Sequence, residues 1–315
     1  MPGRLRLAFI GQQEYFGYTA LQQTVAGVEP RFFHLHHGGN IETVLPALKA
    51  FAPDVVLAYR PELYEAGAFD EIEAITIGYL TEPLPRPDRP PHHDQTDRLR
   101  QLHAADPHNF DRVCSYDPYI EQAAGEVLEI WRSFPIPVAD SEFSATPPRA
   151  PKGAPVLLFT GRATPHRNRF LDALKKDFDV VHLVHGVTDE RLAPFLEEAD
   201  IGINLHNHPY LNYENRVSHY MAAGLAVISE PLSPRWGLIP GVDYLEVSDR
   251  WDLYQATLAL TATPDALRAM RISARRKAER FRASVIWPAL AREAVADVEA
   301  FGGRRRRVSS GTSSD

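Results

Sequence analysis

The sequence predicts an α/β protein of two Rossmann-like domains, each a parallel sheet covered by helices. Three observations carry this. Short apolar runs alternate with helix-patterned segments through both halves of the chain, the order that βαβ units require. The alternation breaks once, between 139 and 155, where Ser, Thr, Pro, Ala and Lys replace the apolar periodicity and Pro147-Pro148 and Lys152-Gly153 act as breakers. The stretch 199–247 then reads as a complete strand, polar loop, helix and strand.

Taken in order, Leu5 to Ile10 is an apolar strand ending at Gly11, and a helix is expected near Thr19 to Val25. Phe32 to His36 is a second strand, and Ile41 to Phe51 an amphipathic helix with Val44, Leu45, Leu48 and Phe51 on one face. Strands follow at 54–59, 74–80 and 110–115. The loop after Gly11 lacks a full G-x-G-x-x-G, so Gln12 and Gln13 are expected to shape a cleft mouth rather than to hold a nucleotide. His34 and His36 fall on one side of a strand, yet no Cys or acid stands at ligand spacing nearby, so ordinary histidines are expected. Pro83 to Pro91 cannot be helix or central strand and reads as an extended loop. Glu82 before it and Asp117 after the fifth strand would line the cleft, or else serve as capping or solvated acids.

The expected division is a first domain over 1–138, a linker over 139–155, a second domain over 156–283, a last helix over 284–302 and a disordered tail over 303–315. In the second domain Val156 to Phe159 and Val180 to Val184 are strands, the latter ending at His185-Gly186. Thr188 to Glu198 reads as a helix capped by Thr188. The loop Thr160 to Arg169 suits an anion. Gly161 allows close backbone approach, the helix start offers free N–H groups, and Arg162, Arg167 and Arg169 supply phosphate donors. Arginines merely solvated at a helix start would oppose its dipole. Asp200 to His206 is a buried strand, and Glu214 to Ala223 a helix stopped by Gly224. The crevice between them carries Asn204, His206, Asn207, Asn212, Tyr213, Glu214, Asn215 and Arg216, where such units bind ligands.

Composition bounds the partners. A net charge of −7 over 315 residues gives no reason to expect nucleic acid. Cys114 is the only cysteine, so no intrachain disulfide forms and a cytoplasmic setting fits. No apolar run approaches the roughly 20 residues of a membrane span, and no signal-peptide core is expected at the start. Peripheral membrane contact stays open.

The run Met221-Ala222-Ala223-Gly224-Leu225-Ala226-Val227-Ile228-Ser229 resembles the "EAMACGLPVVAS" signature of GT-B glycosyltransferases. Pro240-Gly241-Val242-Asp243-Tyr244-Leu245-Glu246-Val247 extends the resemblance, which is nearest the group 1-like, CgeB-like C-terminal domains and covers about 155–300. The chain departs from that pattern where carboxylates are usual: His219 and Leu211 stand there, with Glu214 the nearest acid.

The resemblance implies two Rossmann-like domains facing each other across a cleft. It implies transfer of a sugar from a UDP- or GDP-sugar to an acceptor (a saccharide, a small molecule or a protein), with retention and with neither metal nor cofactor. Gly161, Arg162 and Arg167 would hold the diphosphate, and His185 and Gly186 would border the base. Asn204, His206, Tyr213, Glu214, Asn215 and Arg216 would contact sugar or phosphate, and His219 would stand in for the ribose carboxylate. Gln12, Gln13, Glu82 and Asp117 would face the acceptor. A nucleotide-sugar-binding protein without transferase activity, or an epimerase using carboxylates such as Glu82 and Asp117, are the other classes.

Overall fold

The structure, a computed structural model, describes residues 4–36, 39–184 and 191–303. The chain divides into two compact units, one formed by residues 1–139 with 283–315, the other by 140–282. Residues 140–155, expected as linker, thus pack with the second unit, and the last helix packs with the first.

The first unit holds strands β1 (Leu5–Gly11), β2 (Val28–His34), β3 (Val55–Tyr59), β4 (Ile75–Leu80), β5 (Arg112–Ser115) and β6 (Arg132–Ser133). Its described α-helices are α1 (Gln13–Phe16), α2 (Leu45–Phe51), α3 (His93–Leu102), α4 (Glu121–Ala124) and, from the end of the chain, α10 (Ala283–Phe301). All strand pairs are parallel, in the order β2-β1-β3-β4-β5-β6. β3 is buried at every residue, as a strand covered on both faces must be. On one side of this sheet Trp287 of α10 is fully buried among Phe9, Tyr59, Tyr79 and Phe134, and its indole N–H donates to the Thr19 carbonyl at 2.7 Å.

The second unit holds β7 (Leu157–Thr160), β8 (Val180–Leu183), β9 (Ile201–Asn204), β10 (Ala226–Ser229) and β11 (Leu245–Glu246). Its helices are α5 (Pro165–Asp177), α6 (Ala193–Glu198), α7 (Arg216–Ala222), α8 (Arg250–Ala262) and α9 (Pro264–Lys277). The sheet order β11-β10-β9-β7-β8, all parallel, repeats the order of the first unit counted from β7. Each sheet therefore reverses direction once, beside its first strand. Its core is Leu157, Phe159, Phe170, Leu171, Ile201, Ile203, Ala226 and Ile228 with their neighbours.

Several expected elements differ. The helix expected over 19–25 is absent; α1 lies earlier and runs on as a 3-10 turn, Gly17–Thr19, while Ala20 and Leu21 are buried as loop. The 41–51 helix is a 3-10 turn followed by α2, with Pro46 near its start. α7 opens at Arg216, so Glu214 precedes it rather than occupying its first turn. α6 starts at Ala193, and Thr188 lies outside the described residues. Among the described residues no helix is long and apolar enough to cross a membrane.

Candidate functional site

In an open parallel sheet, ligands bind beyond the carboxyl ends of the strands where the winding reverses. In the second unit that point lies between β7 and β9. The loops leaving these two strands, with the first turns of α5 and α7 that follow them, carry Gly161, Arg162 and Arg167 on one side and His206, Glu214 and Arg216 on the other.

Two guanidinium groups converge there. Arg167 Nε donates to the Leu205 carbonyl at 3.1 Å, and Arg216 Nη1 donates to the same oxygen at 3.2 Å. Both lie over the buried Phe159 ring, 5.3 and 5.5 Å from its centroid. Arg216 also pairs with Glu214 at 3.1 Å. Among the described residues no acid pairs with Arg167; its Nη1 donates to the Arg162 carbonyl at 3.1 Å, while Glu214 and Glu230 act on it only at longer range. Burial, with Arg216 and Arg162 beside it, lowers its pKa to about 10, so it stays charged at neutral pH. A nearly buried cation with only carbonyl partners is poorly compensated, and an anion would supply what it lacks.

The loop itself is held in a defined shape. Thr164 caps α5 by accepting the Arg167 N–H at 3.2 Å, with Pro165 following, which fixes the helix start. Gly161 has φ +147°, and a Cβ there would lie 3.1 Å from Arg167 Nη1. His182 Nε2 lies 2.9 Å from the Gly161 carbonyl, which can only accept, so that nitrogen carries the proton. Burial lowers the His182 pKa, with Lys175 and Arg167 adding to this, so the ring stays neutral. Tyr220 Oη accepts the Thr160 N–H at 2.9 Å. Arg162 is exposed and donates to Asn207 Oδ1 at 3.1 Å.

The other expected residues are placed as follows. Asn204 is buried, with its amide on Ser229 Oγ at 2.8 Å. His206 is buried, with its N–H toward Glu230 at 2.6 Å and Nε2 toward the Pro231 carbonyl at 2.9 Å. Tyr213 is buried beside Phe281, and burial raises its pKa. Asn215 is the residue before α7 and gives it no side-chain cap. His219, in mid-helix, lies 2.8 Å from Glu142. His185 and Gly186 lie outside the described residues. Residue patterns gave no sign of Glu230, His166, His182, Glu142 or the Leu205 carbonyl, whose partners are distant in sequence.

In the first unit Gln12, Glu82 and Asp117 stand just past the ends of β1, β4 and β5. Gln12 leads into α1, and its carbonyl accepts the Phe16 N–H at 3.0 Å. Glu82 pairs with Arg98 at 3.1 Å. Asp117 is buried; burial raises its pKa against the pull of Arg86, 2.7 Å away, and Oδ1 caps the following turn. Glu14 does approach the histidine pair, 3.7 Å from His34 Nε2, contrary to the expectation that no acid stands near. The Gln13 N–H donates to His34 Nδ1 at 3.1 Å, so Nε2 carries the proton and gives it to His36 Nδ1 at 2.9 Å. A cation at Nε2 would have to displace that proton.

Burial lowers the His206 pKa, so folding favours its neutral form. Its contribution is full above the unfolded value of about 6.5 and is lost as pH falls through the lower folded value. The melting temperature is therefore expected to fall as pH drops below about 6. His206→Gln, which keeps a donor toward Pro231, should flatten that fall; an unchanged pH profile would remove His206 from the account.

No family model matches the chain, and no curated protein matches it in sequence. Solved structures do resemble it. HepE of Anabaena, in complex with UDP and glucose, superposes with a TM-score of 0.62 at 11% identity, over 93% of this chain and 100% of that one. Sucrose-phosphate synthase from Thermosynechococcus elongatus gives 0.59 at 13% identity over the same shares. A glycosyltransferase from Rickettsia africae gives 0.55 at 11% identity, over 94% and 99%. The chain folds as these enzymes do, in two Rossmann-like α/β units of the GT-B class.

Proposed function

We propose that this protein is a glycosyltransferase that moves a sugar from a UDP- or GDP-sugar to an acceptor, without a metal ion and with retention of configuration. The observation that carries the reading is Arg167, a buried cation with only carbonyl partners at the switch point of the second sheet. A nucleotide diphosphate is an anion of the required kind, and HepE is solved in complex with UDP and with UDP-glucose. CgeB-like kinship and a cytoplasmic setting belong to the same proposal.

Breaking the bond from sugar to diphosphate puts negative charge on the leaving phosphate. Arg167, Arg216 and the free N–H groups at the start of α5 would stabilise that charge, in the place a divalent cation takes elsewhere. Arg162, exposed at the rim, would close on the phosphates. Glu214, fixed by Arg216, would accept sugar hydroxyls with Asn215 and Tyr213 close by. Asn204 and His206 would back the site, His185 and Gly186 would border the base, and Gln12, Gln13, Glu82 and Asp117 would serve the acceptor.

A second reading, binding of the nucleotide-sugar without transfer, is favoured by one observation: His219, at the usual carboxylate position, is already bound to Glu142. Calorimetry with a panel of UDP- and GDP-sugars tests binding, and release of free nucleotide with and without acceptors tests transfer. Binding and turnover are expected to survive EDTA. Inactivation by the chelator with rescue by magnesium or manganese would overturn the mechanism.

A further inference from the structure

Of the buried acids that this reading leaves unused, Glu230 acts on Arg167 of the arginine pair. Glu230 follows β10 and is only 6% exposed. Its backbone N–H donates to the Asn204 carbonyl at 3.1 Å, continuing the pairing of β10 with β9. Its two carboxylate oxygens hold two different segments. Oε2 accepts the His206 N–H at 2.6 Å, and Oε1 lies 2.9 Å from His166 Nε2. The other His166 nitrogen faces Arg169 Nη2 at 3.5 Å, so Nε2 bears the proton and donates to Glu230.

The His206 N–H and the Leu205 carbonyl belong to one peptide group. Its oxygen receives Arg167 Nε and Arg216 Nη1, and its hydrogen goes to Glu230. Charge-assisted hydrogen bonds at the two ends of a peptide polarise it in the same sense and strengthen one another. The acid thus compensates the two cations through the peptide. Beyond that peptide, Arg167 Nη1 donates to the Arg162 carbonyl and Arg216 Nη2 to Glu214. Through His166, Glu230 also holds the first turn of α5, which carries Arg167.

We propose that Glu230 is a positioning residue: its grip on the Leu205–His206 peptide and on His166 sets the guanidinium pair in register to bind the diphosphate of a nucleotide-sugar. The inference rests on the donor-site reading above.

Charge and position predict opposite signs here, which makes the idea testable. A carboxylate near an anion site repels the anion, so its removal alone should tighten binding. Loss of positioning should weaken it. UDP and inorganic pyrophosphate are titrated calorimetrically into wild type, Glu230→Ala, Glu230→Gln, Glu230→Asp and Arg167→Gln, with folding checked by circular dichroism. Glu230→Ala is expected to bind about tenfold more weakly despite losing a negative charge. Glu230→Gln, which keeps an acceptor for the His206 N–H, should bind within about threefold of wild type. Glu230→Asp keeps the charge but is too short to span both partners, so it should also weaken binding; it carries the test if the alanine variant does not fold. Unchanged or tighter binding by Glu230→Asp and by folded Glu230→Ala would overturn the proposal while Arg167→Gln still loses affinity. If Arg167→Gln also binds as wild type does, or wild type binds neither probe, the donor-site reading fails and the proposal with it.

Discussion

Arg167→Gln is expected to lower affinity for a nucleotide diphosphate by about ten- to hundredfold, the loss of one charge-assisted hydrogen bond worth roughly 1.5–3 kcal/mol. Glutamine retains N–H groups that can reach the Leu205 carbonyl, so the fold should survive while the cation does not. Turnover should fall at least as far, because charge on the diphosphate grows in the transition state. Arg162→Ala, at an exposed position, should cost less than Arg167→Gln. Isothermal titration with UDP and steady-state nucleotide release measure the two effects. Wild-type values for Arg167→Gln would remove the β7–α5 loop from the site.

Gly202→Val is expected to give the largest loss of stability. Gly202 lies in β9 directly under the Tyr220 ring, and a Cβ there would sit 2.6 Å from Tyr220 Cγ and 2.9 Å from its Cβ. Tyr220 is fully buried in α7, so neither the ring nor the backbone has room to yield. Overpacking of this kind costs about 3 kcal/mol, and alanine should cost less. The effect reaches the site, because the same tyrosine holds Thr160 at the base of the arginine loop. Urea unfolding should show an earlier midpoint for the valine variant, and an unchanged midpoint would contradict the packing of α7 on β9.

How much of this was legible in the residues follows from range. β7, β9 and β10 were readable to within about two residues, because a strand covered on both faces leaves an unbroken apolar run. That Gly161, Arg162 and Arg167 stand close together was readable because they share one strand end and the helix start that follows it. α3 was not expected. It is largely polar, and its cap is His92 with Gln95 rather than Ser, Thr, Asp or Asn. The helix expected after β1 failed differently: Ala20 and Leu21 are buried by tertiary packing of a loop, which periodicity cannot tell from a helix face. Glu230 was invisible because its partners stand 24 and 64 residues away. A short-range pattern shows which groups a loop carries, but not which peptide they share.

The return of α10 to the first unit bears on how the chain is made. A ribosome delivers β1 to β6 early, yet Trp287, which fills the space between Phe9, Tyr59, Tyr79 and Phe134, comes almost 150 residues after that unit's first segment ends at Ala139. At translation speeds of about 5–20 residues per second, that interval leaves a face of the nascent sheet bare for roughly 7–30 seconds. The second unit is continuous and can close during the same interval. Birth order and completion order are therefore reversed: the half that is synthesised first is the half that finishes last.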